Sequence, residues 1–305
     1  MNPPVSVIIP TLNAEREVEK LIKNLQEVQT LKPCEIIVVD SSSEDRTAEV
    51  ARDLGCRVFV IKREEFNHGK TRTFAGKQAK GEILVYFTQD ALPYDEKALE
   101  NLIKPLIKHT DVACAYGRQI PYPDADICAK FLRYFNYPEK SFFKSYKDRK
   151  RFGRKTVFFS NSFSAYKKSV LEEIGWFKGD LISYEDIYAV SKILKKGYKL
   201  AYVAEAKVWH SHPWKPWQDF KRHFELGIFF RCENWILKEF GKRPKDENFF
   251  IMLKEFLKIA DKENRRGEVV KFLTMYVLRK GAFFLGYNYK FLPKRLSKKL
   301  LTNKR

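Results

Sequence analysis

A few carboxylates and imidazoles in this sequence have the types and spacing that chemistry requires, and each also has a plain structural reading. Asp40 closes the apolar run Glu35–Asp40 (EIIVVD), and Asp90 follows Ile83–Thr88 (ILVYFT). A carboxylate at the end of a buried run needs a partner or solvent. At Asp40 that partner is a ligand, or else the turn Ser41–Ser43, where short polar side chains cap the next helix. Asp90, in Thr88-Gln89-Asp90-Ala91, offers the hard oxygen that suits a divalent cation. His210 and His212 are two apart, so on an extended segment both rings face one side. They read as ligands or as turn residues before Pro213. The pair Glu185-Asp186 can supply a base to a hydroxyl whose own pKa lies far above neutral, or can simply complement a helix dipole. Asn67-His68-Gly69-Lys70-Thr71 ends like a phosphate-binding P-loop. The glycine required five residues before Gly69 is instead Glu64, and the stretch precedes the fourth strand, so the ATPase reading fails.

The elements that must position these groups alternate over the first 120 residues. Val5–Pro10, Glu35–Asp40, Arg57–Ile61 and Ile83–Thr88 are short β-branched or aromatic runs, as in strands buried on both faces. Helical patterns lie between them over Ala14–Gln29, Asp45–Leu54 and Thr71–Ala79. This alternation predicts a doubly wound α/β sheet with ligands beyond the carboxyl ends of its strands. Thr11 and Asn13, Asp40–Ser43, and Gln89–Asp90 stand at those ends. The middle adds strand-like pieces at Asp111–Gln119, Val157–Tyr166 and Leu200–Val208. From Pro216 the pattern turns helical, with stripes such as Phe220, Phe224, Ile228 and Ile251, Phe256, Ile259. His212–Pro216 marks the boundary between segments 1–214 and 215–305.

Hydrophobic residues make up 44% and charged residues 31% of the chain, which argues against disorder. The net charge of +20 is uneven: Lys215–Arg305 holds 23 Lys/Arg and 10 Asp/Glu. A basic, aromatic-rich tail suits nucleic acid, an anionic membrane surface, or a solvated helical face. The five cysteines are scattered without a CxxC pair, so neither a disulfide framework nor a zinc site is expected. MNPPVSVIIP runs straight into a strand pattern, and no stretch of eighteen uncharged apolar residues occurs. A cytoplasmic location, with peripheral contact at the inner face of the cell membrane, is the expectation.

The ordered set VSVIIPTLN, EIIVVDSSSEDRT, FNHGKTR, GEILVYFTQDALP, SYEDI and VWHSH resembles the inverting family-2 glycosyltransferases of the GT-A fold. Within that family it looks most like the bacterial rhamnosyltransferases, over about Val5–His212. The resemblance implies a GT-A-type (Rossmann-like) mostly parallel sheet flanked by helices, here with a C-terminal helical extension. It implies a nucleoside-diphosphate sugar donor, dTDP-rhamnose or a UDP-sugar, and a saccharide or lipid-linked saccharide acceptor in cell-surface glycan synthesis.

The resemblance also distributes roles. Asp40 contacts a pyrimidine base; Pro10, Thr11, Asn13, Ser42, Gln89 and Asp90 line the nucleotide site; His68 and Arg72 lie near the pyrophosphate or sugar. Asp90 and His212 hold Mg²⁺ or Mn²⁺. Asp186 is the catalytic base, with Glu185 contacting the acceptor or orienting the site. The chain departs from the family pattern twice: Ser41–Ser43 replace the commoner Asp-Asp-Gly-Ser turn, and Asp90 lacks the second acid of an Asp-x-Asp pair. A cation held partly by water and phosphate follows. Phe272–Leu292, then Lys294, Arg295, Lys298 and Lys299, reads as an interfacial helix or as a bundle packed on the catalytic domain. Charge alone suggests a rival, a basic nucleic-acid-binding protein, and the single metal carboxylate suggests a non-catalytic nucleotide binder. No nucleic-acid partner is expected.

Overall fold

The computed structural model describes residues 3–241 and 248–301. Residues 1–2, 242–247 and 302–305, and the Lys298 side chain, belong to the two segments expected above and lie outside the described residues. One sheet contains nine strands: β1 (Val5–Thr11), β2 (Glu35–Asp40), β3 (Arg57–Val60), β4 (Ile83–Phe87), β5 (Leu92–Pro93), β6 (Val112–Ile120), β7 (Phe142–Lys144), β8 (Phe163–Lys167) and β9 (Lys199–Trp209). Their order is β3-β2-β1-β4-β8-β6-β9-β5, with β7 also pairing β9. β1, β2, β3, β4, β6 and β9 run one way, and β5, β7 and β8 run against them. The sheet is therefore mostly parallel.

The early strands are buried on both faces, as their continuous apolar runs require. Ile8, Ile37, Leu84 and Tyr86 pack into one core layer, while Val7, Ile9, Val38, Val85 and Phe87 pack into the other. The flanking helices are α1 (Glu15–Lys23), α2 (Thr47–Asp53), α3 (His68–Gln78), α4 (Ala98–Lys108), α5 (Ile127–Asn136), α6 (Arg149–Phe152), α7 (Lys168–Glu173) and α8 (Glu185–Lys195). The extension adds α9 (Pro216–Cys232), α10 (Asn234–Phe240), α11 (Phe249–Lys262), α12 (Val269–Tyr287) and α13 (Lys294–Lys299).

Two expected elements move. α3 starts at His68 instead of Thr71, because the Asn67 side chain accepts hydrogen bonds from the N–H groups of Gly69 and Lys70 at 3.0 and 2.9 Å. The Val157–Tyr166 strand shrinks to β8. Val157 and Phe159 are buried core residues without strand pairing, and Ser160–Ser162 form a loop.

The extension docks on the sheet. Phe229, Phe230, Ile236 and Phe240 of α9 and α10 share the core layer of Tyr86 and Leu200, and α11 and α12 close over Phe131 of α5. The change at 214/215 is thus a change of architecture within a continuous core. α9 and α12 cross closely at two glycines. A Cβ on Gly286 would lie 1.9 Å from the Phe224 carbonyl oxygen, and one on Gly227 would lie 2.3 Å from that of Phe283. Among the described residues, no helix is long and apolar enough to cross a membrane.

Candidate active site

The carboxyl ends of β1, β2, β4, β6 and β9 lie on one edge of the sheet, and antiparallel β8 begins there. Ile8 is in register with Tyr86, Thr11 with Asp40, Phe87 with Phe163, and Ile120 with Trp209. Past β1 and β4 the Gln89 amide clamps the turn: its Oε1 accepts from Leu12 N–H at 2.8 Å and its Nε2 donates to Leu12 O at 3.2 Å. Asp40 is buried. Its Oδ1 accepts from Thr11 Oγ1 at 3.0 Å and Ser43 Oγ at 2.5 Å, and its Oδ2 from Ser43 N–H at 2.8 Å. Asn13 (φ 47°) and Ser42 (φ 57°) adopt the left-handed region that non-glycine residues rarely use. Asn13 is held there because its N–H donates to Ser43 Oγ and its Oδ1 accepts from Glu44 N–H, both at 2.8 Å. The turns after β1 and β2 thus form one hydrogen-bonded rim.

The acidic pair opens α8. Glu185 is buried, and its Oε1 meets Arg72 Nη1 at 3.0 Å and accepts from Asn161 Nδ2 at 3.0 Å. Burial pushes its carboxyl up, but Arg72, His68, the Asn161 amide and its own N–H together outweigh burial and hold it below the usual range. Asp186 behaves oppositely. Burial and then the negative charge of Glu185 raise its carboxyl to about 7, although its oxygens accept from Ile187 N–H at 2.8 Å and Asn161 N–H at 3.2 Å. Adjacent carboxylates with divergent proton affinities are the pattern of an acid–base site. Asp186 keeps part of its surface accessible. Asn161 serves both acids, and its Oδ1 is fixed by Ser164 Oγ at 2.9 Å and Tyr166 OH at 2.8 Å.

Asp90, His210 and His212 converge: Nε2 of His210 lies 3.3 Å from Asp90 Oδ1, and Nε2 of His212 lies 3.1 Å from Asp90 Oδ2. Their candidate ligand atoms all fall within 4.8 Å of one another. Burial raises the Asp90 carboxyl, but the two imidazoles outweigh it and hold it well below the ordinary range. Burial lowers His210 to about 4, so the ring is neutral near pH 7. Its Nδ1 lies 2.9 Å from Gln119 Oε1 and 3.4 Å from Arg133 Nη2, contacts that hold the ring with Nε2 turned toward Asp90. One carboxylate oxygen and two imidazole nitrogens can together hold a divalent ion. Gln119 Nε2 donates to Ser160 Oγ at 3.0 Å, so hydrogen bonds lead from the histidine to the loop that carries Asn161.

The expected site residues have these partners within the chain. Arg72, expected at phosphate, is buried against Glu185, with His68 Nδ1 3.1 Å from its Nη1. The guanidinium forms a buried ion pair with that acid. Gln89 spends its amide on Leu12, and Asp40 anchors the Ser43 turn. Thr11 takes part in that anchor, and Pro10 sits beside it on β1. Of the two histidines, His212 was the expected ligand, yet His210 completes the cluster equally. Asn161, Gln119 and Arg133, whose Nε donates to His210 O at 2.7 Å, were not singled out in sequence. No local pattern marks them, since each acts through partners distant in the chain.

The chain is 41% identical over 243 residues to the O-antigen chain rhamnosyltransferase RfbN of Salmonella typhimurium, covering 78% of this chain and 76% of the relative. It is 40% identical over 240 residues to the O-antigen chain rhamnosyltransferase WbaN of Salmonella anatum, with the same coverage. Among solved structures, the mannosyltransferase PcManGT of Pyrobaculum calidifontis, in complex with GDP-Man and Mn²⁺, superposes with a TM-score of 0.58 at 20% identity, over 93% of this chain and 81% of that one. S. aureus TarS 1-349 in complex with UDP-GlcNAc also gives 0.58, at 18% identity, over 98% and 84%. These two establish likeness of fold. The relatives lend no support to the nucleic-acid reading. Residues 6–175, more than half the chain, match "Glycosyl transferase family 2", and the chain is a glycosyltransferase belonging to that family.

Proposed function

We propose that this enzyme transfers L-rhamnose, with inversion, from dTDP-rhamnose to a hydroxyl of a saccharide acceptor in cell-surface polysaccharide synthesis. The donor and the pathway rest on likeness to the Salmonella rhamnosyltransferases; a UDP-sugar is the second donor. One observation carries the catalytic reading: a raised, partly accessible Asp186 carboxyl stands on the same sheet edge as the Asp90–His210–His212 cluster. Asp186 takes the acceptor's proton as its oxygen attacks the anomeric carbon, and the bond to the diphosphate breaks on the opposite face. Glu185, held ionised by Arg72, keeps negative charge beside Asp186 and so tunes it toward neutral pH. Asp90, His210 and His212 would hold the divalent ion, whose contribution is to offset charge on the departing diphosphate. The rim of Thr11, Asn13, Asp40 and Ser42 faces the nucleoside.

Peripheral attachment to an anionic membrane belongs to the same proposal. Val270, Val277, Phe284 and Phe291 recur every seven residues on and just beyond α12, and all four are more than 60% exposed. Lys290, Lys294 and Arg295 lie beside the end of that stripe. Apolar residues with flanking cations suit the interface of an acidic bilayer. Turnover of dTDP-rhamnose, UDP-glucose and GDP-mannose with Mn²⁺, read as released diphosphate, tests the donor. Release from dTDP-rhamnose should lead by at least about tenfold; equal rates, or a lead for UDP-glucose, would remove the rhamnose assignment.

A further inference from the structure

We propose that Tyr184 is a positioning residue: by bonding the start of α8 to α9, it fixes which of the two acids meets Arg72 and where Asp186 stands relative to the Asp90–His210–His212 cluster. This deepens the glycosyltransferase reading and rests on it. Tyr184 immediately precedes Glu185, the first residue of α8, and adopts φ 70° and ψ 28°. A bulky side chain rarely takes this left-handed conformation, and such residues persist only where their surroundings hold them. α9 supplies the hold. The Tyr184 hydroxyl donates to the Arg222 carbonyl oxygen at 2.6 Å, and its ring packs on Phe229 with centroids 5.5 Å apart. Burial pushes the phenol well up, so it stays protonated and donates near neutral pH. One residue earlier, Ser183 Oγ reaches Glu225 Oε2 at 3.4 Å, again on α9.

The turn at Tyr184 sets the phase of α8. Successive helical residues point roughly 100° apart, so the direction in which the helix leaves Tyr184 decides where each acid goes. The Tyr184 carbonyl accepts from Tyr188 N–H at 3.1 Å and so opens the helical ladder. With this start Glu185 is enclosed against Arg72, while Asp186 keeps part of its surface accessible. α9 is also the helix into which the cation cluster leads: its first residue, Pro216, follows closely on His212. The link between them is stiff. Pro213 and Pro216 restrict its backbone. Trp214 N–H donates to Asp126 Oδ2 at 2.6 Å, and Trp214 Nε1 donates at 3.0 Å to Asp219, which Arg279 also binds through two bonds. Tyr184 therefore closes a frame that runs from His212 through α9 to Asp186. Tyr184, Arg222 and His212 line a single cavity of ≈ 400 Å³, which puts the contact at the reaction space. Attack and departure take place on opposite faces of one carbon, so a misplacement of about 1 Å between base and cation site costs on the order of 10²-fold in rate.

Two variants of the full chain test this. Tyr184→Phe removes the hydroxyl and keeps the ring, whereas Tyr184→Asn removes the bond to α9 but supplies a residue at ease in the left-handed region. Release of nucleoside diphosphate is measured with Mn²⁺ and with water as the acceptor. The donor is whichever of dTDP-rhamnose, UDP-glucose and GDP-mannose the wild type turns over fastest. Both variants should lose at least about tenfold in kcat, while KM for the sugar nucleotide stays within about twofold. In EDTA, amide exchange at Ile187 and Tyr188 should quicken by about tenfold in both, a readout independent of turnover. Wild-type kcat in Tyr184→Phe overturns the proposal. So does wild-type kcat in Tyr184→Asn, which would mean that the turn alone suffices, and so does unchanged exchange in both variants. The thermal shift with dTDP and Mn²⁺ reports folding of each variant. If one variant loses it, the other decides; if both lose it, the bond serves the fold as a whole and the positioning role is overturned. A wild type that releases no diphosphate from any of the three donors fails at the catalytic reading, whereas an active wild type matched by its Tyr184 variants fails here alone.

Discussion

Replacing Asp186 with asparagine probes the electrostatics of the site without relying on turnover. Burial and Glu185 raise the Asp186 carboxyl from 3.8 to about 7 in the folded protein, whereas in the unfolded chain it returns to roughly 3.9. Between those values the native state holds a proton that the unfolded state has released, so stability falls as pH rises. The contribution is complete below about pH 4 and gone above about pH 7. Three units at 1.36 kcal/mol each set an upper bound of roughly 4 kcal/mol. An amide cannot ionise, so Asp186→Asn escapes this loss. It pays instead at low pH, because its NH₂ must face one of the N–H groups of Asn161 or Ile187 that the carboxylate accepts; that mismatch costs about 1 kcal/mol. The variant should therefore be slightly less stable than wild type at pH 4.5 and more stable by about 2 kcal/mol at pH 8. Urea denaturation of both proteins in half-unit steps across that range measures the difference, and other titrating groups cancel. A difference that stays level within about 1 kcal/mol would mean that Asp186 is not held protonated by its surroundings. The same variant should lose kcat by about 10²-fold or more while binding dTDP normally.

Other outcomes follow from the same contacts. Asp90→Asn should abolish the Mn²⁺-induced thermal shift and lower turnover by about 10²-fold, with added Mn²⁺ failing to restore it; an unchanged Mn²⁺ response would remove Asp90 from the cation site. Asn161→Ala strips the side-chain partner from Glu185, Ser164 and Tyr166. It should cost about 2–3 kcal/mol of stability, and retention of full stability in urea would show that this network contributes nothing. Gly286→Ala drives a methyl into the Phe224 carbonyl and should destabilise the α9–α12 crossing by about 2–3 kcal/mol, visible as early proteolysis of the extension. Unaltered proteolysis would mean that the helices separate at no cost.

The parallel sheet was legible because strands buried on both faces write continuous apolar runs, and the turns that end them carry Thr11, Asn13, Asp40 and Asp90 at fixed places in the motif order. Family membership followed from that order; the spacing put the rings of His210 and His212 on one side, and the resemblance singled out His212 as the ligand. The fate of each polar group was not legible. Whether Arg72 reaches a phosphate or a carboxylate depends on α8 arriving beside α3, more than a hundred residues later in the chain. Asn161 and Gln119 have no sequence signature, because a hydrogen-bond hub is defined by the partners that tertiary packing brings to it. The same holds for the tail. Its aromatic, basic composition was compatible with a membrane helix or a packed bundle. Only the docking of α9–α12 on the sheet decided that Phe272 and Met275 are buried while Val277 and Phe284 face outward. Sequence fixes which groups exist and how they recur locally; distance between remote groups, and with it proton affinity, is a property of the folded chain alone.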